Sequence, residues 1–567
     1  MPAPGKREKG MAVLITALLL LIVIPLVGLA VDVGTLYVIR GRLGAALDSA
    51  ALAAGRSINL GNDLPTAKAN ATESARRFFK ANFPSGYLGA GYTDSDVVTS
   101  FDQQIDGNGN FNGVLLIGAS AKVTAPTYFM RLFKKSHVAV AASGTVARRN
   151  LVMMLVLDRS TSMGSRETPV GAIPGSISPT SSSCESMVFS AIQFVHYFSP
   201  YDNVGLVSFN TSALLDYIPS TNFKSAGAAG VRQAIANINC SGSTNTTAAL
   251  ELAYDRIKLV NQKLAMNVIV LFTDGCPNAV NADFPIRRFV DSRIGTAAAT
   301  PAPPDLPAGN RTRCTTNNNE VCINMPVSCG AGANTVRGVI SQAQSFSATS
   351  GARSGLGKSF PSDPNPSWPP GCATSGTTMT SQSLAYIPPA DRFGNPTSGP
   401  KDDWLFQVNN QCAPYGTPGL SPSNLCKNLG GYWSNYPTIS VGSNMFTSGP
   451  ASGFFRTDHT NTIGAISMNT AINAAAKIRA DPDFKVMIHS IYLQGFGGDP
   501  IDKEFLPIIS NRDKIPPTIY EPAGTADIAN PYYQSGQQKG LYLQTTSSYE
   551  LSNMFAQIAS SLLRIAQ

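Results

Sequence analysis

The chain has 567 residues, of which 43% are apolar and only 14% are charged, with a net charge of +8. Ordinary domains contain about 25% charged residues, so the composition argues against a disordered polyelectrolyte. The length predicts about three or four structural units. The positive charge is spread along the chain without a dense basic stripe, which argues against a nucleic acid partner. All nine cysteines lie between Cys184 and Cys426, a distribution that indicates an oxidising compartment.

The first predicted element is a transmembrane helix at residues 11–31, a segment without a charged side chain. Its length matches the roughly 20 residues that a helix needs to cross the hydrocarbon of a bilayer. Lys6, Arg7 and Lys9 precede it, so the positive-inside rule predicts a cytoplasmic tail at residues 1–10. We therefore predict a single-pass protein of the inner (cytoplasmic) membrane, with its bulk periplasmic or extracellular.

A cleaved signal peptide is the alternative to a retained anchor, because Gly28 and Ala30 are small enough for a cleavage site. Retention is favoured because the apolar segment is long for a signal sequence and a helical pattern continues through residues 32–58. The residues that carry this pattern are Leu36, Ile39, Leu43, Leu47, Ala50 and Ala54. Residues 32–58 are therefore predicted to form a helical stalk. Its small residues either pack closely against similar helices of a membrane assembly or only make the stalk amphipathic.

Residues 60–148 are predicted to form a small α+β unit. A helical pattern comes first and three strand-like runs follow, at 67–83, 97–101, 114–123 and 138–146. The sequence Asp106-Gly-Asn-Gly-Asn, between the first two strands, resembles the start of a calcium loop. Phe111 and Ile117 occupy the positions that require glycine and a bidentate glutamate, so a hairpin turn is predicted instead.

From residue 151 onward, buried strands alternate with helical patterns, which predicts an α/β fold with a doubly wound, mostly parallel sheet. The strand-like runs are 151–157, 204–209, 268–273, 486–493 and a run around 541–543. The helical patterns are 185–198, 226–238, 246–258, 463–478 and a final amphipathic helix from Leu551 to Ile565. Ser547 and Glu550 stand before that helix at capping-box spacing. A ligand site is expected at the carboxyl ends of the strands.

A stretch at 277–460 interrupts this alternation and divides the sheet domain into residues 151–276 and 461–567. It is crowded with Pro, Gly, Ser, Thr and Asn and is too long for an ordinary loop. We predict an insertion that is ordered partly by disulfides. Its cysteines are Cys314, Cys322, Cys329, Cys372, Cys412 and Cys426.

No enzyme is predicted from the sequence. Gly357-Lys358-Ser359 resembles the end of a phosphate loop, but Ala352 stands where the first glycine is required. The proline-rich residues that follow cannot form the helix that would hold phosphate. The chain has no G-x-S-x-G nucleophile elbow, and its four histidines are not near a candidate nucleophile in sequence.

Oxygen-bearing side chains follow two predicted strands and open one helix. The first strand is followed by DRSTSMG, a helix begins within STNTTAAL, and a later strand is followed by TDG in LFTDG. These three sequences resemble the parts of the metal-ion-dependent adhesion site of von Willebrand factor A domains. By position, the resemblance implies five metal ligands, Asp158, Ser160, Ser162, Thr244 and Asp274. The middle loop of that family commonly begins with two glycines, whereas here Gly242 and Ser243 precede the threonine. The resemblance covers residues 151–276 and resumes from about 463 to 566.

A site whose ligands are all oxygen atoms suits a hard divalent cation. We predict Mg²⁺, and Mn²⁺ and Ca²⁺ are the alternatives. Two carboxylates and three hydroxyls leave the ion with water and at least one open position. In the family, an acidic residue of a partner protein takes that position. Cys240 and Cys276 lie close to the motif in sequence, but two thiols without histidine are an incomplete zinc site. A disulfide between them is predicted.

The N-terminal sequence is similar to the anchor and stalk of TadG-like proteins of the tight-adherence (Flp) pilus system. In those proteins an apolar helix is followed by AVD and by an Ala-rich RxxLxxAxDxAALAA run, and the match covers roughly the first 56 residues. Together the two resemblances imply a membrane-anchored, metal-dependent adhesion component of pilus assembly or surface attachment. Its partners would be a protein that supplies an acidic residue, and pilus or secretion components. The alternative is an envelope structural protein in which the ion is only structural.

Overall fold

The computed structural model describes residues 6–285, 323–324, 335–341, 378–379, 386–387, 390–397, 399, 455–456, 460–493, 504–517, 522 and 524–566. The chain divides into two compact units. The first comprises Met1–Leu151, Tyr197–Asp202 and Leu562–Gln567, and the second comprises Val152–His196 and Asn203–Ser561. Most of the predicted insertion, with its six cysteines and the phosphate-loop-like sequence, lies outside the described residues.

The first unit begins with one unbroken helix, α1 (Lys6–Ser57), which contains both the apolar segment and the predicted stalk. At about 1.5 Å per residue its 52 residues extend for about 78 Å. Within the described residues it is the one helix that is long and apolar enough to cross a membrane. Most side chains of its apolar part are exposed, and Leu21, for example, is 72% exposed.

The stalk part of α1 belongs to the core of the first unit. Its periodic apolar face is fully buried, from Ile39 and Leu43 to Ala54. That face packs against α2 (Leu64–Asn82) and the sheet of the same unit. The chain itself covers Ala46, Ala50 and Ala54, whereas a Cβ on Gly41 or Gly44 of the same stalk would meet open space. Close packing against other helices and a merely amphipathic stalk both stay predictions.

The sheet of the first unit is antiparallel, in the order β1-β2-β3. The strands are β1 (Val97–Ile105), β2 (Phe111–Pro126) and β3 (His137–Arg149). Alternate residues of β2 are buried against the helices, as the two-residue period of a half-buried strand requires. The predicted hairpin turn is confirmed, because the Asp106 carboxylate accepts hydrogen bonds from the backbone N–H groups of Asn108 and Asn110, at 2.8 and 2.9 Å.

The first unit contains a buried ion pair. Arg148 donates to both carboxylate oxygens of Asp202, at 3.0 and 3.1 Å, and the two side chains are 3% and 1% exposed. Asp202 also accepts hydrogen bonds from the backbone N–H groups of Leu151 and Ser199. Asn59 accepts a further bond from Arg148 at 3.1 Å. The charges are therefore paired and hydrogen-bonded, which burial in a low-dielectric interior requires.

The second unit is built around a six-stranded sheet of order β17-β14-β7-β4-β5-β6. Its strands are β4 (Leu151–Asp158), β5 (Asn203–Phe209), β6 (Ala213–Ser220), β7 (Met266–Thr273), β14 (Met487–Leu493) and β17 (Tyr542–Thr545). β4 is parallel to β5, and β14 is parallel to both β7 and β17. The edge strand β6 is antiparallel to β5. The five predicted strands are confirmed, and β6 is a strand that the sequence analysis did not predict.

Helices cover both faces of this sheet. They are α3 (Ser183–Phe194), α4 (Val231–Ala236), α5 (Thr246–Val260), α6 (Thr460–Arg479), α7 (Phe505–Ile509) and α8 (Leu551–Ala566). Leu250 of α5 and Met468 of α6 pack in one buried cluster with the sheet. The Phe555 ring of α8 packs against Phe194 of α3 and Phe272 of β7, with ring centroids 5.0 and 6.2 Å apart. The predicted doubly wound α/β fold is therefore confirmed.

Two helical details differ from prediction. The helix predicted at 226–238 consists of a short 3₁₀ turn, Gly227–Ala229, followed by α4. Ser547 makes no capping hydrogen bond with its side chain. The Glu550 carboxylate instead accepts a bond from Thr545 Oγ1, so the predicted capping box before α8 is wrong.

The remaining strands within the described residues form pairs. They are β8 (Ala279–Pro285) with β10 (Thr335–Ser341), β9 (Ile323–Asn324) with β11 (Thr378–Met379), β12 (Tyr386–Ile387) with β13 (Phe455–Arg456), and β15 (Lys514–Ile515) with β16 (Ile528–Ala529). All four pairs are antiparallel. β8 begins four residues after Gly275, so the chain passes from the carboxyl end of β7 directly into the β8–β10 pair.

Candidate metal site

Two carboxylates lie side by side at one edge of the central sheet. Asp158 is the last residue of β4 and Asp274 directly follows β7, and the two strands are neighbours in the sheet. Both residues are completely buried. Since every residue of β4 and β7 is also buried, the strands hold these two carboxylates in fixed positions at the sheet edge where ligands of such folds bind.

Hydroxyl groups join the two carboxylates into one cluster. Ser160 Oγ lies 3.0 Å from Ser162 Oγ, and the two hydroxyl oxygens lie 3.5 and 2.9 Å from Asp274 Oδ1. Asp158 Oδ1 accepts a hydrogen bond from the Ser160 backbone N–H at 2.8 Å. Four of the five predicted ligand residues are thus within one hydrogen-bonded network.

Thr244, the fifth predicted ligand, is 3% exposed and lies on a loop fixed on two sides. On one side, Gly242 donates its N–H to Thr161 Oγ1 at 2.7 Å and accepts from the Thr161 N–H at 2.9 Å. On the other side, Thr244 donates its N–H to Asn278 Oδ1 at 2.7 Å, and its carbonyl accepts from the Asn278 N–H at 2.9 Å. The Thr244 loop therefore joins the residues that follow Asp158 to those that follow Asp274.

The middle loop requires a glycine at its first position. Gly242 has a φ of +93°, and a Cβ there would lie 3.0 Å from side-chain atoms of Asn210 and Thr211. Ser243 occupies the position of the family's second glycine, and its N–H donates to Thr211 Oγ1 at 3.0 Å. The departure from the family motif is therefore accommodated without loss of the loop's hydrogen bonds.

The predicted disulfide between Cys240 and Cys276 is wrong, because Cys240 is bonded to Cys184. Cys184 lies in the first turn of α3, with its Cα 6.3 Å from that of Cys240, which is within the reach of a disulfide. Sequence proximity to the motif favoured Cys276, whereas the fold brings α3 to the loop that precedes Thr244. The bond therefore fixes the start of that loop to a helix of the sheet domain.

An ion pair supports the same region. Arg166 Nε lies 3.3 Å from Glu185 Oε2 on the first turn of α3, and both side chains are 2% exposed. Thr168 Oγ1 donates to Glu185 Oε1 at 2.7 Å. These bonds hold the chain that leaves the Ser160–Ser162 segment against α3, next to the disulfide.

Burial affects the protonation of Asp158. Loss of hydration raises the pKa of Asp158 from 3.8 to about 6, although hydrogen bonds from Thr273 and Ser160 and the nearby charge of Arg159 act in the opposite direction. Burial also lowers the pKa of Arg159. A buried, ionised Asp158 is therefore costly to the fold, and a cation bound beside it would favour its ionised form.

The separations of the ligand oxygens fit a small octahedral ion. Mg²⁺ holds oxygens at about 2.1 Å in an octahedron, which places neighbouring ligand oxygens about 3.0 Å apart. The three oxygens of Ser160, Ser162 and Asp274 are separated by 3.0, 2.9 and 3.5 Å. Hydrogen bonds among hydroxyls and a carboxylate have similar lengths, so the same spacing suits both a hydrogen-bonded cluster and a bound ion. No group of three or more His, Cys, Asp or Glu side chains suited to a metal occurs in the described part of the chain, so a site here depends on hydroxyl ligands.

Two further residues, Thr273 and Asn278, position the site but were not among the predicted site residues. Thr273 Oγ1 donates to Asp158 Oδ2 at 2.6 Å, so it fixes that carboxylate from the neighbouring strand. Asn278 holds the backbone of Thr244, as described above. Thr273 immediately precedes Asp274 in the motif sequence, and that adjacency was the one available signal for its role.

Two parts of the chain match known families. Residues 153–277 match the model of the von Willebrand factor type A domain, and residues 10–57 match the model of the putative Flp pilus-assembly TadE/G-like family. Among curated proteins, none matches the chain in sequence.

Solved structures give distant likenesses. The PilB minor pilin from Streptococcus sanguinis is 13% identical, with 83% of this chain and 79% of that chain covered and a TM-score of 0.33. The vWF domain of the type V pili tip protein Mfa5 from Porphyromonas gingivalis is 11% identical, with 74% and 98% covered and a TM-score of 0.31. The pilus adhesin SpaC from Lactobacillus rhamnosus GG is 9% identical, with 82% and 36% covered and a TM-score of 0.31. On its family matches and its own fold, the chain combines a von Willebrand factor type A-like domain with an N-terminal segment that resembles TadE/G-like pilus-assembly proteins.

Proposed function

We propose that this chain is a membrane-anchored adhesion component that binds a divalent cation and, through it, an acidic side chain of a partner protein. The observation that carries the proposal is the buried oxygen cluster formed by Asp158, Ser160, Ser162 and Asp274. Mg²⁺ is the preferred ion because all of its predicted ligands are hard oxygen atoms, with Mn²⁺ and Ca²⁺ as alternatives. No catalytic role is proposed, and no nucleic acid partner.

Each residue of the cluster has a distinct task in this proposal. Asp274 and the two serine hydroxyls supply oxygens that are already close together. Asp158 supplies a second negative charge, held in place by Thr273 and by the Ser160 backbone. Thr244 completes the set from the middle loop. When bound, the cation supplies a positive centre with an open position for a partner's carboxylate.

The proposed setting is the assembly of a pilus or attachment to a surface. Its support is the match of residues 10–57 to the pilus-assembly family and the apolar length of α1. In this setting residues 11–31 cross the inner membrane, with the N-terminus cytoplasmic and both folded units periplasmic or extracellular. Pilus or secretion components are the proposed partners.

Calorimetry with Mg²⁺ tests the metal site on the full chain in detergent. The parent should bind one ion per chain, and Asp274→Asn should abolish binding because it removes a charged ligand without changing the side chain's size. Asp255→Asn is the matched control, since its carboxylate is 53% exposed on α5 in an ion pair with Lys258. Absence of binding to the parent at millimolar Mg²⁺, or equal binding by Asp274→Asn, would remove the proposal.

Complementation separates adhesion from the structural alternative. A strain that lacks this chain is supplied with the parent, Asp274→Asn or Asp255→Asn, and pili are counted by electron microscopy beside a surface-attachment assay. Loss of pili or attachment with Asp274→Asn, at normal protein abundance, supports a metal-dependent interaction. Normal pili together with a lower melting temperature would assign the ion a structural role instead.

A further inference from the structure

The loop between β2 and β3, residues 127–136, presents large apolar side chains to solvent together with basic ones. Its most exposed apolar side chains are Tyr128, Leu132 and Phe133, at 53, 73 and 70%. Its basic residues are Arg131, Lys134 and Lys135, and its sequence contains no acidic residue. Aromatic and aliphatic side chains beside lysine and arginine are typical of segments that lie at the surface of an anionic membrane.

This loop is fixed to α1 at the end of the apolar segment. The Asp32 carboxylate accepts three hydrogen bonds from backbone N–H groups of the loop, from Tyr128 at 2.8 Å, Phe129 at 2.9 Å and Met130 at 2.7 Å. Asp32 is 1% exposed and directly follows Val31, the last residue of the apolar segment. The loop therefore lies where α1 would leave the bilayer.

One side chain of the loop reaches further along α1, toward the bilayer. A Cβ on Gly28 would lie only 2.3 Å from ring atoms of Phe129, so the ring packs against the helix at a position that only glycine leaves open. Gly28 precedes Asp32 by one helical turn, or about 6 Å along the axis at 1.5 Å per residue. Phe129 therefore lies at the level of the apolar segment.

We infer that the 127–136 loop is a second membrane contact, in which Leu132 and Phe133 enter the boundary between head groups and acyl chains. Arg131, Lys134 and Lys135 contact the phosphates of anionic phospholipids in the leaflet from which α1 emerges. The continuity of the loop with the apolar segment, through Asp32 and Phe129, favours lipid over a protein as its occupant. This inference rests on the proposed membrane anchoring of residues 11–31.

The test is fluorescence quenching of the full chain in vesicles of phosphatidylcholine and phosphatidylglycerol. Phe133→Trp places a reporter in the loop, and Ile105→Trp is the matched control. Ile105 is 62% exposed and pairs with Phe111, the first residue of β2, whereas the loop follows Pro126, the last residue of β2. The two sites are therefore about 50 Å apart along β2 at about 3.3 Å per residue. Because the chain has three tryptophans of its own, each signal is the difference from the parent chain.

Brominated lipids should quench the added emission of Phe133→Trp and leave that of Ile105→Trp unchanged. A double variant, Lys134→Glu/Lys135→Glu, is combined with the Phe133→Trp reporter. Its quenching should no longer increase with the fraction of phosphatidylglycerol, because the two basic contacts with anionic lipid are lost. Absence of bromine quenching in Phe133→Trp overturns the inference. Shielding of that reporter from iodide without bromine quenching also overturns it, because a protein surface then covers the loop.

Vesicle flotation separates failure of the inference from failure of the anchor. A parent chain that does not float with vesicles, or that alkaline carbonate extracts from them, contradicts the proposed anchoring of residues 11–31. A chain that floats and resists extraction while its loop reporter stays unquenched contradicts only the loop contact. Asp32→Asn weakens the acceptor of the three backbone N–H groups and should reduce quenching in the Phe133→Trp background while flotation persists.

Discussion

Replacing Asp158 with asparagine tests whether this carboxylate is present for an ion or for the stability of the fold. Burial raises its pKa from 3.8 to about 6, and a shift of about 2 units corresponds to about 3 kcal/mol between the two protonation states. Because the folded pKa lies above the unfolded value, the folded state holds the proton more tightly. The stability that this proton contributes is complete below pH 3.8 and is lost as the pH rises to about 6.

Asparagine avoids this loss because it does not ionise. Its Oδ1 can accept from the Ser160 N–H, and its Nδ2 can donate to Thr273 Oγ1, so the geometry at the end of β4 is kept. In metal-free buffer near pH 7.5, Asp158→Asn should therefore raise the free energy of unfolding by up to about 3 kcal/mol, and the gain should vanish near pH 4. Mg²⁺ at about 1,000 times its Kd should reverse the order, since it adds about 4.1 kcal/mol to the parent alone.

Amide hydrogen exchange in β4 and β7 measures this stability within the second unit, in EDTA and in Mg²⁺, at both pH values. Asp255→Asn, with its exposed carboxylate, is the control for a change of charge outside the site. A lower stability of Asp158→Asn than of the parent in EDTA near pH 7.5 would contradict this prediction, because Asp158 is then mainly an acceptor for the fold. Exchange rates of the parent that do not change with Mg²⁺ would contradict it as well.

Replacing both cysteines of the Cys184–Cys240 disulfide with serine should lower the unfolding free energy of the second unit by about 4 kcal/mol, from the chain entropy of a loop with a sequence separation of 56. Urea unfolding measures the difference in free energy, and equal stability of the oxidised parent and the double serine variant would contradict the prediction. Asp202→Asn should cost about 3–5 kcal/mol, because it leaves the Arg148 guanidinium buried without its carboxylate. Asp94→Asn is its control, since the Asp94–Lys80 pair is exposed and its loss should change the melting temperature little.

The central sheet could be predicted from the sequence because its inner strands are buried on both faces. Such strands appear as continuous apolar runs, and all eight residues of β4 and of β7 are indeed buried. The edge strand β6 was missed because it is only partly buried and contains Asp216 and Pro219, so it lacks both the apolar run and a clear alternation. Prediction thus succeeded for the buried inner strands and for the edge strand β17, and failed for the edge strand β6.

The proximity of the Asp158 and Asp274 side chains could also be predicted, since topology places the ends of neighbouring strands together. The interactions that position the side chains of the candidate site could not, because they join residues far apart in the chain. Thr273 fixes Asp158 across two strands, and Asn278 fixes Thr244 across a separation of 34 residues. The pairing of Cys240 with Cys184 depends in the same way on where α3 packs. A sequence motif therefore indicates which side chains meet, while the fold determines how firmly they are held.

The role of Asp32 likewise could not be predicted from the sequence, because its partners lie 96 to 98 residues away in the chain. In the sequence, the AVD that follows the apolar segment is only a point of resemblance to the anchors of pilus-assembly proteins, and a lone aspartate inside a helix has no evident task. In the structure its carboxylate satisfies three backbone N–H groups of the 127–136 loop, which would otherwise have lacked acceptors within that tight turn. Since both Asp32 and Gly28 serve this one contact, the end of the apolar segment is shaped by the loop that packs there. The same two residues therefore connect the proposed membrane anchor with the folding of the first unit.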